Sequence, residues 1–376
     1  MNPHPQAPRL AVIRSGDRPR LNARFPELLG SVFPDHEIDD IDVFNGLRAR
    51  PAASAVNMLQ SGWEYRTDLA RRRIRPKRAY VTSRSFARHV ERSVDAVVAP
   101  STHRFTFQSQ SLWNAARPGL PNFVYTDHTR LTGLALDGGD PHGGTGGRFL
   151  ERERRIYTDA RTIFVRSRHV ADTLEDGYGC APEKVEVVGM GPNGSVPDEE
   201  RTGSPERRRL LFVGIDWERK GGPMLLDAFD ALAPEFPGLE LEVVGPDADV
   251  GDRPGITVHG RIPLDEVYRL QQRCDIFCLP TLFEPFGVAF IEAMHASLPV
   301  VGPDTGAVPD LVRDGVTGIL HQRGDTGSLV NALRPLLANP DRAVSMGRAG
   351  REHARTHYDW AAVMQRIHDR IDAELP

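Results

Sequence analysis

Between Phe283 and Leu320 runs the stretch FEPFGVAFIEAMHASLPVVGPDTGAVPDLVRDGVTGIL, in which two carboxylates, Glu284 and Glu292, bracket a tight apolar turn that opens a helix. Glu284 stands just before the turn, Pro285 suits an early helix position, Gly287 lets the backbone come close to a ligand, and Glu292 follows about a turn and a half into the helix. Free N–H groups and the positive end of the helix dipole can then face phosphate or sugar oxygens, while each carboxylate accepts hydrogen bonds from vicinal hydroxyls. A capped amphipathic helix with a solvated Glu284 is the plainer reading of the same residues.

The stretch lies within a longer alternation. Leu210 to Val213, Leu239 to Val244, Ile256 to His259 and Asp275 to Leu279 read as strands, and Pro223 to Leu232 and Leu264 to Gln272 as helices. Strands regularly spaced by helical segments predict a doubly wound parallel sheet, with ligands at the carboxyl ends of the strands. Upstream, Leu10 to Ile13, Ile38 to Val43, Ala79 to Val81, Ala96 to Ala99, Phe123 to Tyr125, Thr162 to Val165 and Val185 to Val188 predict a second α/β sheet. A chain of 376 residues exceeds the usual size of one core, so two domains are expected. The polar segment Ser195 to Arg209, with its Pro and Gly, reads as the hinge.

The Phe283–Leu320 stretch resembles the donor-sugar site of the retaining glycosyltransferases of family 4, of GT-B fold, whose signature is E-x(7)-E followed by a strand, a Gly-rich turn and a helix leading to D/N-G-x-x-G. Here these are Glu284 to Glu292, Leu298 to Ala307 and Asp314-Gly-Val-Thr-Gly318. The resemblance implies an α/β, GT-B architecture of two Rossmann-like doubly wound domains facing a cleft. Its expected parts are an acceptor-side domain over 1–195, a hinge over 196–209, a nucleotide-sugar-binding domain over 210–356 and a C-terminal helix, 357–376, crossing back to the first domain. It implies further that Glu284 contacts donor-sugar hydroxyls, that the amides of Phe286 and Gly287, with Val288 beside them, approach sugar and phosphate, and that Glu292 holds the nucleotide ribose.

Lysine is scarce, since only Lys77, Lys184 and Lys220 occur among 47 basic residues. Lys220 follows the strand ending at Gly214 and precedes a helix, and strand, Gly-rich loop, basic residues and helix form a plausible diphosphate cradle. Arg219-Lys220-Gly221 resembles the basic pair that binds the donor diphosphate in the family. The family more often places Arg directly after the strand's glycine; Ile215 stands there, which leaves Arg219 as the substitute. Gly260, Arg261 and Ile262 match the loop that lines the nucleobase pocket. FVYTDHTRLTGL resembles the segment that carries a histidine or aspartate near the donor sugar, here Asp127 and His128, and Ser167 matches a serine at a helix head, where an N-cap suffices as explanation. The first loop, Arg14-Ser-Gly-Asp-Arg-Pro, lacks the Gly-Gly pair of many members.

Other signals point elsewhere or nowhere. Gly189-Met-Gly-Pro-Asn-Gly194 fits G-x-G-x-x-G, yet no apolar-periodic helix follows it, so a dinucleotide fingerprint is disfavoured. Asp40-Ile-Asp42 and Asp247-Ala-Asp249 are isolated D-x-D pairs, and no metal or other cofactor is expected. Cys180, Cys274 and Cys278 read as thiols of a reduced compartment. Ten basic residues between Arg66 and Arg92 face only Asp68 and Glu91. They form either a solvated face or a surface for anions, whether an anionic membrane touched through Arg71 to Arg78 or an anionic or lipid-linked acceptor. Nucleic acid is disfavoured by the net charge of -4. The first thirty residues hold no apolar run of signal-peptide length, so a cytoplasmic location is expected, on a membrane's inner face if the basic stretch binds one.

The expected activity is transfer of a sugar from a nucleotide-diphosphate sugar, of UDP or GDP type rather than ADP, to a hydroxyl acceptor with retention of configuration. In retaining GT-B enzymes this is usually written as front-face attack with the departing phosphate oxygen taking the acceptor proton. A GT-B epimerase or phosphorylase, or a catalytically silent binding subunit, would use the same motifs.

Overall fold

Short apolar runs bounded by glycine and proline become central strands buried on both faces, as the doubly wound pattern requires, while edge strands stay partly exposed. The computed structural model describes residues 7–16, 20–48, 51–72, 74–137, 144–194, 196, 208–245 and 249–375. Within them the chain forms two compact units, Met1–Val188 with Met364–Pro376, and Gly189–Val363. Asp17 to Pro19 of the first loop, most of the 196–209 hinge, Asp247 and Arg73 lie outside the described residues.

The first unit holds six parallel strands, β1 (Arg9–Arg14), β2 (Glu37–Asp42), β3 (His103–Ser109), β4 (Asn122–Thr126), β5 (Thr162–Val165) and β6 (Val185–Val187), in the order β2-β1-β3-β4-β5-β6. Two expected strands are not strands. Ala79 to Val81 ends a helix, Pro76–Val81, which Pro76 opens from an extended Arg75, and Ala79 is buried while Tyr80 and Val81 pack on the core. Ala96 to Ala99 trails off the helix Arg84–Asp95, whose start is fixed by Ser83 Oγ accepting from Phe86 N at 3.2 Å, and Val98 packs into the core from coil. β3 is a strand beyond those expected, with Phe105 and Phe107 fully buried among polar neighbours.

The second unit holds β7 (Arg209–Val213), β8 (Glu240–Val244), β9 (Ile256–Gly260), β10 (Ile276–Cys278), β11 (Val300–Pro303) and β12 (Gly318–His321), in the order β12-β11-β10-β7-β8-β9, all parallel. Strand order reverses between β7 and β10. That switch point leaves a crevice beyond the carboxyl ends of these two strands, because their crossovers depart to opposite sides. Cys274 and Cys278 are buried thiols, and burial pushes the Cys278 thiol well up. Among the described residues no helix is long and apolar enough to cross a membrane.

Candidate active site

The loops that leave β7 and β10 meet at the switch point. The β7 loop carries Gly214 to Gly221, and the β10 loop carries Pro280 to Gly287. Hydrogen bonds stitch them together: Leu282 N donates to Arg219 O at 2.9 Å, and Arg219 Nη1 donates to Phe283 O at 3.0 Å. Gly221 makes the approach possible. Its φ is +77°, and a Cβ there would lie 2.0 Å from Pro280 O, so no larger residue fits. Trp217 is buried against Phe212, ring centroids 5.1 Å apart, and fixes the loop's far side, while Ile215 is exposed.

This stitching brings Lys220 Nζ into an ion pair with Glu284 Oε2. Both side chains are largely enclosed, 14% and 8% exposed. Arg219 stays at the surface, bonded to Asp216 at 3.1 Å. The Glu284 backbone is held in turn: its carbonyl accepts from Ala307 N at 3.1 Å.

The helix after the turn is Val288–His295, with Gly287 at its N-cap at φ +95° and no side chain capping it. A left-handed residue cannot continue a helix inward, so Pro285 belongs to the turn rather than to the first helical positions. Phe286 is buried, Val288 is half-buried, and the helix's first N–H groups and positive dipole end lie beside Glu284. Glu292, the fifth residue of the helix, is buried and accepts from Asn193 N at 3.0 Å. Burial pushes its carboxyl up to about 7, while hydrogen bonds from Asn193 and Tyr268 pull the other way.

Asn193 was absent from the sequence expectations. It lies in the Gly189–Gly194 segment, whose glycines serve close packing: a Cβ at Gly191 would meet the Trp360 ring at 2.5 Å and one at Gly194 would meet Leu264 at 2.9 Å. Trp360 Nε1 donates to Pro192 O at 2.8 Å. The spacing of the glycines suggested a dinucleotide loop, but the signal that mattered was Asn193 beside glycines that let the backbone reach Glu292. Arg261, exposed, and Ile262, half-buried, follow β9, at a distance in sequence from these groups that the β9 register alone does not close.

In the first unit a cavity of about 230 Å³ opens at the carboxyl ends of β3 and β4, with Arg78, Asp127, His128, Arg130 and Glu153 in its lining. Asp127 pairs with Arg166 at 3.0 Å, and the Arg166 guanidinium lies 5.2 Å from the Tyr125 ring centroid. Thr126 Oγ1 donates to His128 O at 2.9 Å, and His128 packs so closely on Gly133 that a Cβ there would lie 2.8 Å from its Nε2. Glu153 is buried and accepts from Ser111 Oγ at 2.8 Å, Tyr157 OH at 3.1 Å, Tyr178 OH and Arg130 N at 3.0 Å; burial still pushes its carboxyl up. Ser167 stands at the N-cap of Arg168–Asp172, buried, with no capping bond from its hydroxyl. Of the D-x-D carboxylates, Asp40 is taken up by Arg14 at 2.7 Å, and Asp42 by the same arginine at 3.2 Å.

Residues 207–339 match the family described as Glycosyl transferases group 1, and residues 40–191 match the Glycosyl transferase 4-like domain. The D-inositol 3-phosphate glycosyltransferase of Corynebacterium kroppenstedtii is 27% identical over 245 residues, 58% of this chain and 54% of that protein. The GDP-mannose-dependent alpha-(1-6)-phosphatidylinositol monomannoside mannosyltransferase of Mycolicibacterium smegmatis is 28% identical over 235 residues, 55% of this chain and 61% of that protein. The chain thus spans between half and two thirds of the length of these relatives. The sucrose-phosphate synthase structure from Thermosynechococcus elongatus superposes with a TM-score of 0.72 at 16% identity, covering 97% of this chain and 98% of the other. The chain belongs to the family-4 glycosyltransferases and has their GT-B fold.

Proposed function

We propose that this chain transfers a sugar from a nucleotide-diphosphate sugar to a hydroxyl acceptor with retention of anomeric configuration. The observation that carries the reading is the juxtaposition, at the β7/β10 switch point, of the Lys220–Glu284 pair with a helix N-terminus. In this reading Lys220 and Arg219 neutralise the leaving diphosphate, the Phe286 and Gly287 amides approach sugar and phosphate, and Glu284 accepts from donor-sugar hydroxyls. Glu292 accepts from the ribose, and Gly214, Arg261 and Ile262 border the nucleoside. A GDP or UDP donor is proposed over ADP, in keeping with the GDP-mannose dependence in the name of the Mycolicibacterium smegmatis relative.

The acceptor is proposed to be a hydroxyl compound that carries an anionic group. Arg78, Arg130 and His128 line the first unit's cavity, and the two relatives named above act on phosphorylated inositols by their names. Asp127 and His128 are proposed to meet the reacting sugar. No metal is assigned a part, because the cationic side chains and the helix end already supply positive charge. The test is incubation with UDP-, GDP- and ADP-sugars and a phosphorylated polyol, with the product's anomeric configuration read by NMR. A product of inverted configuration, or nucleotide release that never yields a glycoside, would defeat the reading.

A further inference from the structure

The helix Pro51–Glu64 is built inside out. Its buried residues are Asn57 and Ser61, and Ser61 Oγ donates to Asn57 O at 2.6 Å and lies 2.8 Å from Ser83 Oγ. Its outward residues include Val56, Leu59 and Trp63, which are 51%, 76% and 71% exposed. Spaced three and four apart, these three fall on one stripe opposite the buried pair. Core packing cannot account for the stripe, since the core-facing side is already polar and satisfied.

Beside the stripe lies a groove of about 650 Å³ whose lining combines Leu59 and Trp63 with Arg66, Arg84 and Arg88, and with one acid, Glu64, which accepts from Arg84 N at 2.9 Å. Arg66 sits 4.4 Å from the Trp63 ring centroid. The exposed cations continue through Arg71, Arg72, Arg75, Lys77 and Arg78. Apolar side chains with a tryptophan at their edge and a cationic rim match a surface that is apolar inside and negatively charged at its face. A soluble anion would use the arginines and leave the stripe without a purpose.

We infer that this helix and its arginine rim dock on an anionic lipid bilayer, with Leu59 and Trp63 entering the headgroup region and the arginines pairing with lipid phosphates. The inference does not depend on the sugar-transfer reading, and its test measures no turnover. Of the four tryptophans, Trp113, Trp217 and Trp360 are buried, so Trp63 is the one open to solvent. The full chain is mixed with phosphatidylglycerol/phosphatidylcholine vesicles whose acyl chains are brominated, and with brominated phosphatidylcholine alone.

The expected result is a blue shift and quenching of tryptophan emission with the anionic vesicles only, absent in Trp63→Phe. Leu59→Asp should weaken vesicle co-sedimentation by about tenfold. Replacing Arg66, Arg84 and Arg88 with Gln should weaken it roughly 100-fold at low salt, with added salt doing the same to the wild type. Thermal melts check that the variants fold; the wild-type quenching needs no variant. Three outcomes would overturn the inference: no co-sedimentation at low salt, co-sedimentation without quenching, or equal binding to neutral vesicles. A concentration-dependent dimer that shields Trp63 from acrylamide would assign the stripe to a second copy instead.

Discussion

At the scale of single residues, Lys220 is held inside the fold, its side chain only 14% exposed. It is paired with a nearly enclosed Glu284, so removing it strands a carboxylate. Lys220→Ala is expected to cost on the order of 3 kcal/mol of stability as well as about 100-fold in turnover. The double variant Lys220→Met/Glu284→Gln should regain most of the stability in urea titrations and none of the turnover. Recovery of turnover would remove the pair from the proposed chemistry. Glu292 makes a different prediction. Folded, it holds its proton up to about pH 7; unfolded, it releases it near 4.5. The group therefore favours the folded chain most below about pH 4.5, and that contribution falls as pH rises to about 7, by an amount on the order of 3 kcal/mol. Glu292→Gln should flatten this part of the stability profile. If ribose hydroxyls donate to Glu292, they favour its ionised form, so nucleoside diphosphate affinity should rise towards pH 7 with proton release. Calorimetry in buffers of different ionisation enthalpy should show that release in the wild type and less of it in Glu292→Gln; equal release would take Glu292 out of the ribose site.

At the scale of elements, the site rests on loops held where only glycine fits. Gly306 has φ +60°, and a Cβ there would lie 2.4 Å from Glu284 O. Gly306→Ala should therefore push the Glu284 turn outward, costing about 2 kcal/mol in thermal denaturation and weakening sugar-nucleotide binding more than nucleotide binding. Equal loss for both ligands would place Glu284 away from the sugar. The same elements mark how far the sequence could be read. The second unit was legible because most of its strands are apolar runs between Gly and Pro punctuation, and its candidate site because Glu284 and Glu292 sit at fixed spacing on one turn and helix. The first unit was less so. Tyr80-Val81 and Val97-Val98 have strand-like side chains, but Tyr80 and Val81 pack from a helix end and Val98 from coil with Val97 exposed, whereas β3 hides its Phe105 and Phe107 among Arg104, Thr106 and Gln108. Alternation of that kind reads as half-buried, yet Thr106 and Gln108 are buried too, bonded to Asn122 Oδ1 at 2.8 Å and to Trp113 O at 2.9 Å. Asn193 was invisible for a related reason. Its backbone N–H donates to Glu292 and its side chain bonds the same carboxylate, and which carboxylate a loop residue meets is decided by tertiary packing alone.

At the scale of the whole molecule, two sheets with separate cores allow the ligand's effect to be localised. If Arg219 and Lys220 neutralise the diphosphate as proposed, EDTA should leave initial rates nearly unchanged, and loss of rate with rescue by magnesium would require carboxylate ligands that this reading does not use. The nucleotide groups proposed above all belong to the second unit, Gly189–Val363. A ligand that binds only the folded form of one unit stabilises it by about 2.7 kcal/mol at 100 times its dissociation constant, which for a unit of this size is a shift of roughly 5–10 °C. Scanning calorimetry with UDP, GDP and ADP at matched concentrations should show that shift for UDP or GDP and little for ADP. Hydrogen exchange should place the added protection in the β7 and β10 loops and around Asn193, because these backbone amides are the ones the ligand would order. Protection confined to the β3 and β4 ends of the first unit would mean that the nucleotide occupies the cavity around His128, and the roles given to Lys220, Glu284 and Glu292 would fall together.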